Sequence, residues 1–207
     1  MKANKFKIAI QNKGKLREPS FRFFETNGLK FNPNNGRTLI IPCENSDIEI
    51  LCVRHIDIPQ YIHEGVADFG IIGENLLFEH KAEVEVIKKL GFGQCSLVIA
   101  APQNSDIKSL ADLEGERIAT SYPNSLKKFL KLNNINACVI EIRGSVEITT
   151  SLNLADAICD ITQTGRTLKE NNLVQIGKIL DSEAILIQNP HIKDEEKRCF
   201  KRVFATT

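Results

Sequence analysis

Short β-branched runs alternate along this chain with stretches of helical periodicity, and that alternation leaves few folds open. It points to an α/β protein with a largely parallel sheet. Phe6–Ile10 reads as a strand, followed by a polar turn from Gln11 to Lys15 and a helix from about Leu16 that closes at Gly28. Strands around Thr38–Ile41 and Ile48–Val53 form a hairpin pattern. Asp57 reads as the cap of a short helix with Pro59 in its first turn and Gly65 at its end, and 66–73 as a small-residue strand. A second lobe starts near Gly91–Gly93. Its strands are expected at Cys95–Ala101, Arg117–Thr120, Ala137–Ile142, Ala157–Ile161 and Leu173–Ile179, with helices over 105–113, 123–132, from near Ser145, and from Gly165 to Asn171. Ala184–Gln188 is a returning strand and Asp194–Phe204 an amphipathic helix. The reading gives two lobes, 1–92 with 182–207 and 93–181, with a cleft between them where strand carboxyl ends take ligands.

Charge narrows the partners. Lys plus Arg number 27 against 26 Asp plus Glu, so no overall field draws the chain to nucleic acid or to a membrane surface. An anionic ligand must be held by local features. The sequence has no apolar run of bilayer length, and Met1–Lys5 leads into a strand without the pattern of a signal peptide, which implies a cytoplasmic protein. The six cysteines form no C-x-x-C pair and most lie in apolar runs, as buried reduced thiols do. The four histidines show no H-x-x-x-H spacing, so no metal site built from protein ligands is expected.

The most informative stretch is Asp156 to Leu168, ADAICDITQTGRTL from Ala155. A buried strand runs into a hydroxyl-rich turn with one glycine, and a helix follows at once. The free N–H groups of a helix's first turn suit a phosphomonoester. Thr162, Thr164 and Thr167 add hydroxyl donors around Gln163 and Arg166, Gly165 lets the backbone come close, and the helix dipole contributes about 1 kcal/mol. Asp156 and Asp160, four apart, share a strand face. A carboxylate beside a phosphate is repulsive unless it has another task, and accepting hydrogen bonds from a ribose diol is such a task. A T-x-T-G-x-T run alone fits an N-capped helix equally well; the carboxylate two residues upstream tips the reading to a ribose 5-phosphate site. G-x-x-x-x-G-K-[ST] and G-x-G-x-x-G are both absent.

Leu154–Asp160 with Thr164–Leu168 resembles the phosphoribosyl pyrophosphate motif of the ATP phosphoribosyltransferases. Gly65–Asp68 with Gly70–Asn75, Val53-Arg54 with Asp57–Pro59, Arg117–Pro123 and Gly144–Glu147 fall in that family's order, from about residue 6 to 190. The resemblance implies two lobes like those of type II periplasmic binding proteins, with the active site in the cleft between them. It implies that Thr162–Thr167 hold the 5-phosphate and that Asp156 and Asp160 lie in the ribose motif. Lys13, Gly14 and Lys15 fall in the nucleotide and pyrophosphate region, where the family has arginine at the position of Lys15; lysine keeps the charge and loses the bidentate fork. It further implies ATP and phosphoribosyl pyrophosphate as substrates, Mg2+ as cofactor, and a homo-oligomer, dimer or higher.

The chemistry agrees with what the sequence lacks. Adenine N1 carries a free lone pair, so no Ser/His/Asp or Cys/His nucleophile is needed. Positioning and neutralisation of the departing pyrophosphate are needed, and magnesium and basic side chains supply them. Arg54 and Lys13 are the catalytic candidates, with Arg37 behind them; Asp68, Tyr122, Ser145 and Glu147 are expected to face the cleft, with Tyr122 fitting equally well as a core aromatic whose hydroxyl is satisfied. A non-catalytic solute-binding module and a different phosphoribosyltransferase are the rivals. Other phosphoribosyltransferases place two adjacent acidic residues before the loop, where here Cys159 precedes Asp160. The family has a long form with a C-terminal histidine-binding domain and a short form served by a separate regulatory subunit. With 207 residues and a Ser121–Pro123 segment of long-form type, the expectation is a long-form core without its regulatory domain, insensitive to histidine by itself.

Overall fold

The computed structural model describes residues 6–32, 38–80, 83–192 and 204. In chain order, β1 (Phe6–Gln11) leads to α1 (Arg17–Thr26), then β2 (Ile40–Pro42) and β3 (Ile48–Val53), then α2 (Ile58–His63), β4 (Phe69–Gly73), α3 (Asn75–Glu79) and β5 (Glu85–Lys89). After them come β6 (Cys95–Pro102), β7 (Arg117–Thr120), α4 (Pro123–Leu132), β8 (Cys138–Glu141), β9 (Ala157–Thr162), α5 (Arg166–Glu170), β10 (Leu173–Ser182) and β11 (Ala184–Gln188). The chain divides into two compact units. One comprises Met1–Leu77, Lys81–Gly93 and Glu183–Thr207; the other comprises Phe78–His80 and Gln94–Ser182.

The first unit is built on a six-stranded sheet ordered β2-β3-β1-β4-β11-β5. β1 runs parallel to β3 and to β4, while β2, β11 and β5 join antiparallel. Ile8, Ile10, Ile50, Phe69 and Ile71 face one side of this sheet and are sealed by Phe21 and Phe24 of α1. Each such fully buried side chain contributes about 1.5–3 kcal/mol. The other side packs Ala9, Ile72, Ile185 and Ile187 against Ile58 and Ile62 of α2. Phe204 stacks on Phe23 with ring centroids 5.5 Å apart; the rest of the expected helix Asp194–Phe204 lies outside the described residues, as do Arg37 and Cys199.

The second unit carries a five-stranded sheet ordered β10-β6-β9-β7-β8. β9, β7 and β8 are parallel; β6 and β10 join antiparallel. Leu126 and Leu130 of α4 cover one face with Leu97, Ile99, Ile118 and Cys159; Val146 and Leu168 cover the other with Ala100, Ala119 and Ile158.

Both sheets are therefore mixed, not largely parallel as the alternation implied. One antiparallel member, β2, pairs with the next strand, β3, through a direct return without a helical crossover. Three local expectations are also corrected. Asp57 makes no side-chain cap, because His55–Asp57 already winds as a 3-10 turn and leaves Asp57 at helical angles, φ −90 and ψ −17. Residues 105–113 hold only the 3-10 turn Leu110–Leu113: Asp112 Oδ2 accepts the backbone N–H groups of Lys108 and Ser109 and the Ser109 hydroxyl, which fixes the start of winding at Ser109. The helix expected near Ser145 is the three-residue turn Val146–Ile148, where the Thr149 hydroxyl donates to the Val146 carbonyl at 2.7 Å.

Candidate active site

In the second unit the carboxyl ends of three neighbouring parallel strands converge, since Thr120 is in register with Glu141 on one side and Cys159 on the other. The Thr120 hydroxyl fastens this edge. It donates to the Cys159 carbonyl at 2.7 Å and accepts the Tyr122 N–H at 2.9 Å. The Ser121 hydroxyl donates to the Ile142 carbonyl at 2.6 Å, tying the exit of β7 to the exit of β8. Beyond β8, Val146 is buried in the cluster that holds Leu168, so Ser145 and Glu147 flank a fixed point beside α5.

The turn after β9 emerges at the same edge. Asp160 and Thr162 are half-buried, whereas Gln163, Thr164, Arg166 and Thr167 are exposed. Gly165 holds φ +72 and ψ 1, a left-handed conformation that glycine adopts without cost, and it opens α5 with no side-chain cap. Its own N–H is taken by the Thr162 hydroxyl at 3.0 Å. No protein atom lies within 4 Å of where a Cβ would stand on Gly165, so the glycine is required by backbone conformation and not by crowding from the protein. Arg166 pairs with Glu170 at 2.7 Å on the surface. Burial pushes the Tyr122 phenol above the ordinary tyrosine range, and the charge of Asp160 adds to that, so it stands as a neutral O–H beside a carboxylate.

Asp156 is not brought to this edge. It precedes β9, about 20 Å of extended chain from Thr162. Its carboxylate is taken by Arg117, through the backbone N–H at 2.9 Å and the guanidinium at 2.9 and 2.7 Å. The Arg117 hydrogen bonds hold Asp156 down to about 2 against the opposing effect of burial. Asp156 closes the amino end of the β7–β9 pair, while Asp160 alone of the two stands next to the hydroxyl-rich turn.

In the first unit the corresponding edge is that of β1, β3 and β4. Gln11 and Val53 are register partners, and the Asn12 N–H donates to the Val53 carbonyl at 2.8 Å. The Lys13–Lys15 turn and Arg54 therefore leave adjacent strand ends, and all three cations are exposed, with no ion-pair partner among the described residues. Gly14 has φ +121, and a Cβ there would meet the Gln11 amide at 2.3 Å; that amide accepts the Leu16 N–H at 3.1 Å. Asp68 belongs to the other end of this sheet. Its Oδ2 accepts the Lys7 N–H at 2.8 Å, so it anchors the start of β1 and not the ligand edge.

Two contributors left no trace in the local pattern. Thr120 reads as an ordinary strand residue until its register with Cys159 is known. Glu79, 6% exposed, reaches the first turn of α4 from 45 residues away. Its carboxylate accepts the Asn124 N–H and the Ser125 N–H, each at 3.0 Å, and the Ser125 hydroxyl at 2.9 Å.

Two units, each built on a mixed sheet, are the architecture of the periplasmic-binding-protein folds. The chain superimposes on the alkanesulfonate-binding protein SsuA from Xanthomonas axonopodis pv. citri with a TM-score of 0.63 at 13% identity, covering 98% of this chain and 73% of that one. That likeness concerns the fold alone. A nearer likeness is to a chain of the ATP phosphoribosyl transferase (HisG:HisZ) complex from Thermotoga maritima, with a TM-score of 0.80, 30% identity, and 97% and 96% of the two chains covered. Residues 54–205 match the HisG family, described as ATP phosphoribosyltransferase. The ATP phosphoribosyltransferase of Bacteroides thetaiotaomicron is 41% identical over 197 residues, 95% of this chain and 69% of that protein; that of Methanopyrus kandleri is 39% identical over 199 residues, 96% and 70%. The chain belongs to the ATP phosphoribosyltransferase family, and it spans about two thirds of the length of these curated relatives.

Proposed function

We propose that this chain transfers the 5-phosphoribosyl group of phosphoribosyl pyrophosphate to N1 of ATP and releases pyrophosphate, the first step of histidine biosynthesis. The observation that carries the reading is an uncapped helix start at Gly165, ringed by threonine hydroxyls and set beside Asp160, in a chain of this family. The 5-phosphate takes the free N–H groups of α5 and the hydroxyls of Thr164 and Thr167; each hydrogen bond to a charged group contributes about 1.5–3 kcal/mol. Asp160 accepts from the ribose diol. Tyr122, kept neutral by burial, is available as a donor at the same edge. Ser145 and Glu147 line the exit of β8, Gln163 and Arg166 the turn itself. Asp156 fastens the opposite end of the β7–β9 pair through Arg117 and has no direct substrate contact in this reading.

Adenine N1 attacks the anomeric carbon as the bond to pyrophosphate breaks. Lys13 and Arg54, with Gly14 and Lys15 shaping the turn, meet the charge that grows on the leaving group. Mg2+, which the family resemblance implies, would when bound neutralise charge on the pyrophosphate; among the described residues no three acidic, histidine or cysteine side chains are grouped to hold a metal. No helix among the described residues is long and apolar enough to cross a membrane. The use of ATP as a substrate supports the cytoplasm as the place of work. The Thermotoga maritima structure is of a HisG:HisZ complex, and that supports a separate regulatory subunit as a partner here; self-association follows from the family resemblance.

The test mixes ATP, phosphoribosyl pyrophosphate and Mg2+ with the protein in the presence of pyrophosphatase. Absorbance from the N1-substituted adenine ring is expected to grow with enzyme concentration and to stop on chelation. Absence of growth in both directions of the reaction, with saturable binding of one ligand alone, would transfer the chain to the solute-binding reading.

A further inference from the structure

The second unit presents two helix N-termini at one sheet edge, and they are treated in opposite ways. α4 follows β7, α5 follows β9, and the two strands are parallel neighbours. A helix start is a seat for an anion, because its first N–H groups lack partners and its dipole favours negative charge. At α5 that seat has no side-chain cap. At α4 it is filled from within the protein: Glu79 Oε1 accepts the Asn124 N–H, Oε2 accepts the Ser125 N–H and hydroxyl, and the Glu79 carbonyl accepts the Asn124 side-chain amide at 3.0 Å. No lysine or arginine bonds this buried carboxylate among the described residues; the ten-residue helix itself neutralises it.

We propose that Glu79 is a specificity-determining positioning residue that occupies the N-terminus of α4, so that the phosphate of the substrate has one seat at this edge and not two. The inference rests on the reading of the α5 turn as the phosphate site. A substrate carrying a 5-phosphate and a pyrophosphate could otherwise dock in a second, unreactive arrangement with an anionic group on Asn124 and Ser125. By filling that seat Glu79 also fixes the first turn of α4, which follows directly on Tyr122.

The experiment titrates inorganic phosphate into 15N-labelled parent and Glu79→Ala protein while following four backbone amides, with steady-state kinetics on the same samples. In the parent, Arg166 and Thr167 respond and Asn124 and Ser125 stay still. In Glu79→Ala all four respond, and kcat and KM for phosphoribosyl pyrophosphate fall together by at least twofold with kcat/KM held within twofold, the signature of unproductive binding. Silent Asn124 and Ser125 amides in a folded Glu79→Ala protein overturn the proposal, and so does a fall in kcat/KM that matches the fall in kcat. Should Glu79→Ala fail to fold, formate is added: refolding by formate and not by formamide supports a carboxylate seat, and refolding by neither overturns it. A parent whose Arg166 and Thr167 amides ignore phosphate strikes instead at the reading of the α5 turn, and leaves the Asn124 and Ser125 result to be read by itself.

Discussion

The edges proposed to take ligand in the two units are made from different materials. In the second unit the donors are backbone N–H groups and hydroxyls, held by side-chain bonds from Thr120, Ser121 and Thr162 to the main chain. In the first unit they are Lys13, Lys15 and Arg54, exposed cations on a turn whose bracing comes from the Gln11 amide below them. A preformed neutral cradle suits a group whose charge is the same before and during reaction, as the ribose 5-phosphate is. Long cations suit a group whose charge grows as its bond breaks, as pyrophosphate does. The first kind of contact appears in KM, the second in kcat.

The largest effect that tests this division is expected from Arg54→Ala. Turnover should fall by about a hundredfold, the loss of one donor to developing charge, while KM for ATP stays within a few-fold. An equal loss in both would place Arg54 in ground-state binding and erase the contrast. Next in size, Gly165→Val should raise KM for phosphoribosyl pyrophosphate by about tenfold with kcat nearly kept, because a β-branched residue resists φ +72 by roughly 1–2 kcal/mol. Gly165→Asn should lose less than Gly165→Ala, since asparagine tolerates that conformation; the reverse order, measured by substrate titration, would show that size and not backbone angle matters there.

Asp156→Asn sharpens the comparison from the other end of the sheet. Activity should stay within about threefold of the parent, and Tm should drop by about 2–4 °C, as a loss of about 1 kcal/mol gives in a chain of this size. The partial exposure of both Asp156 and Arg117 keeps the figure small. The carboxyl is held at about 2 in the folded protein against an ordinary value of 3.8. Its stabilisation is therefore complete above pH 4 and fades as pH falls towards 2. The gap in Tm between variant and parent should close over that window. A gap that persists at pH 2 would mean that the substituted amide disturbs packing and not charge.

Much of this architecture was legible because local signals agreed. Pro123 at the start and a clear apolar stripe gave α4 its full span, and the alternation of Ala157–Ile161 with the glycine at 165 gave β9, the turn and α5. What escaped depended on distance along the chain. Asp156 and Asp160 look alike in a strand pattern, and only the pairing of β7 with β9 assigns one to Arg117 and leaves the other at the turn. The place of Asp68, at the start of β1 beside the Lys7 N–H, is likewise visible only from strand pairing. β5 went unread because Glu85, Lys88 and Lys89 surround two half-exposed apolar residues, as on many edge strands. Glu79 carries no motif, and its meaning comes entirely from a helix 45 residues on.

The Thr120 hydroxyl joins residues 39 positions apart to the loop that begins at Tyr122. The shape of that loop is thus not stored in Ser121 and Tyr122 themselves. The exit of β7 has its geometry only while β9, far along the chain, is paired with it. The shape of this edge is for that reason a property of the strand pairing and not of the residues that form its loop.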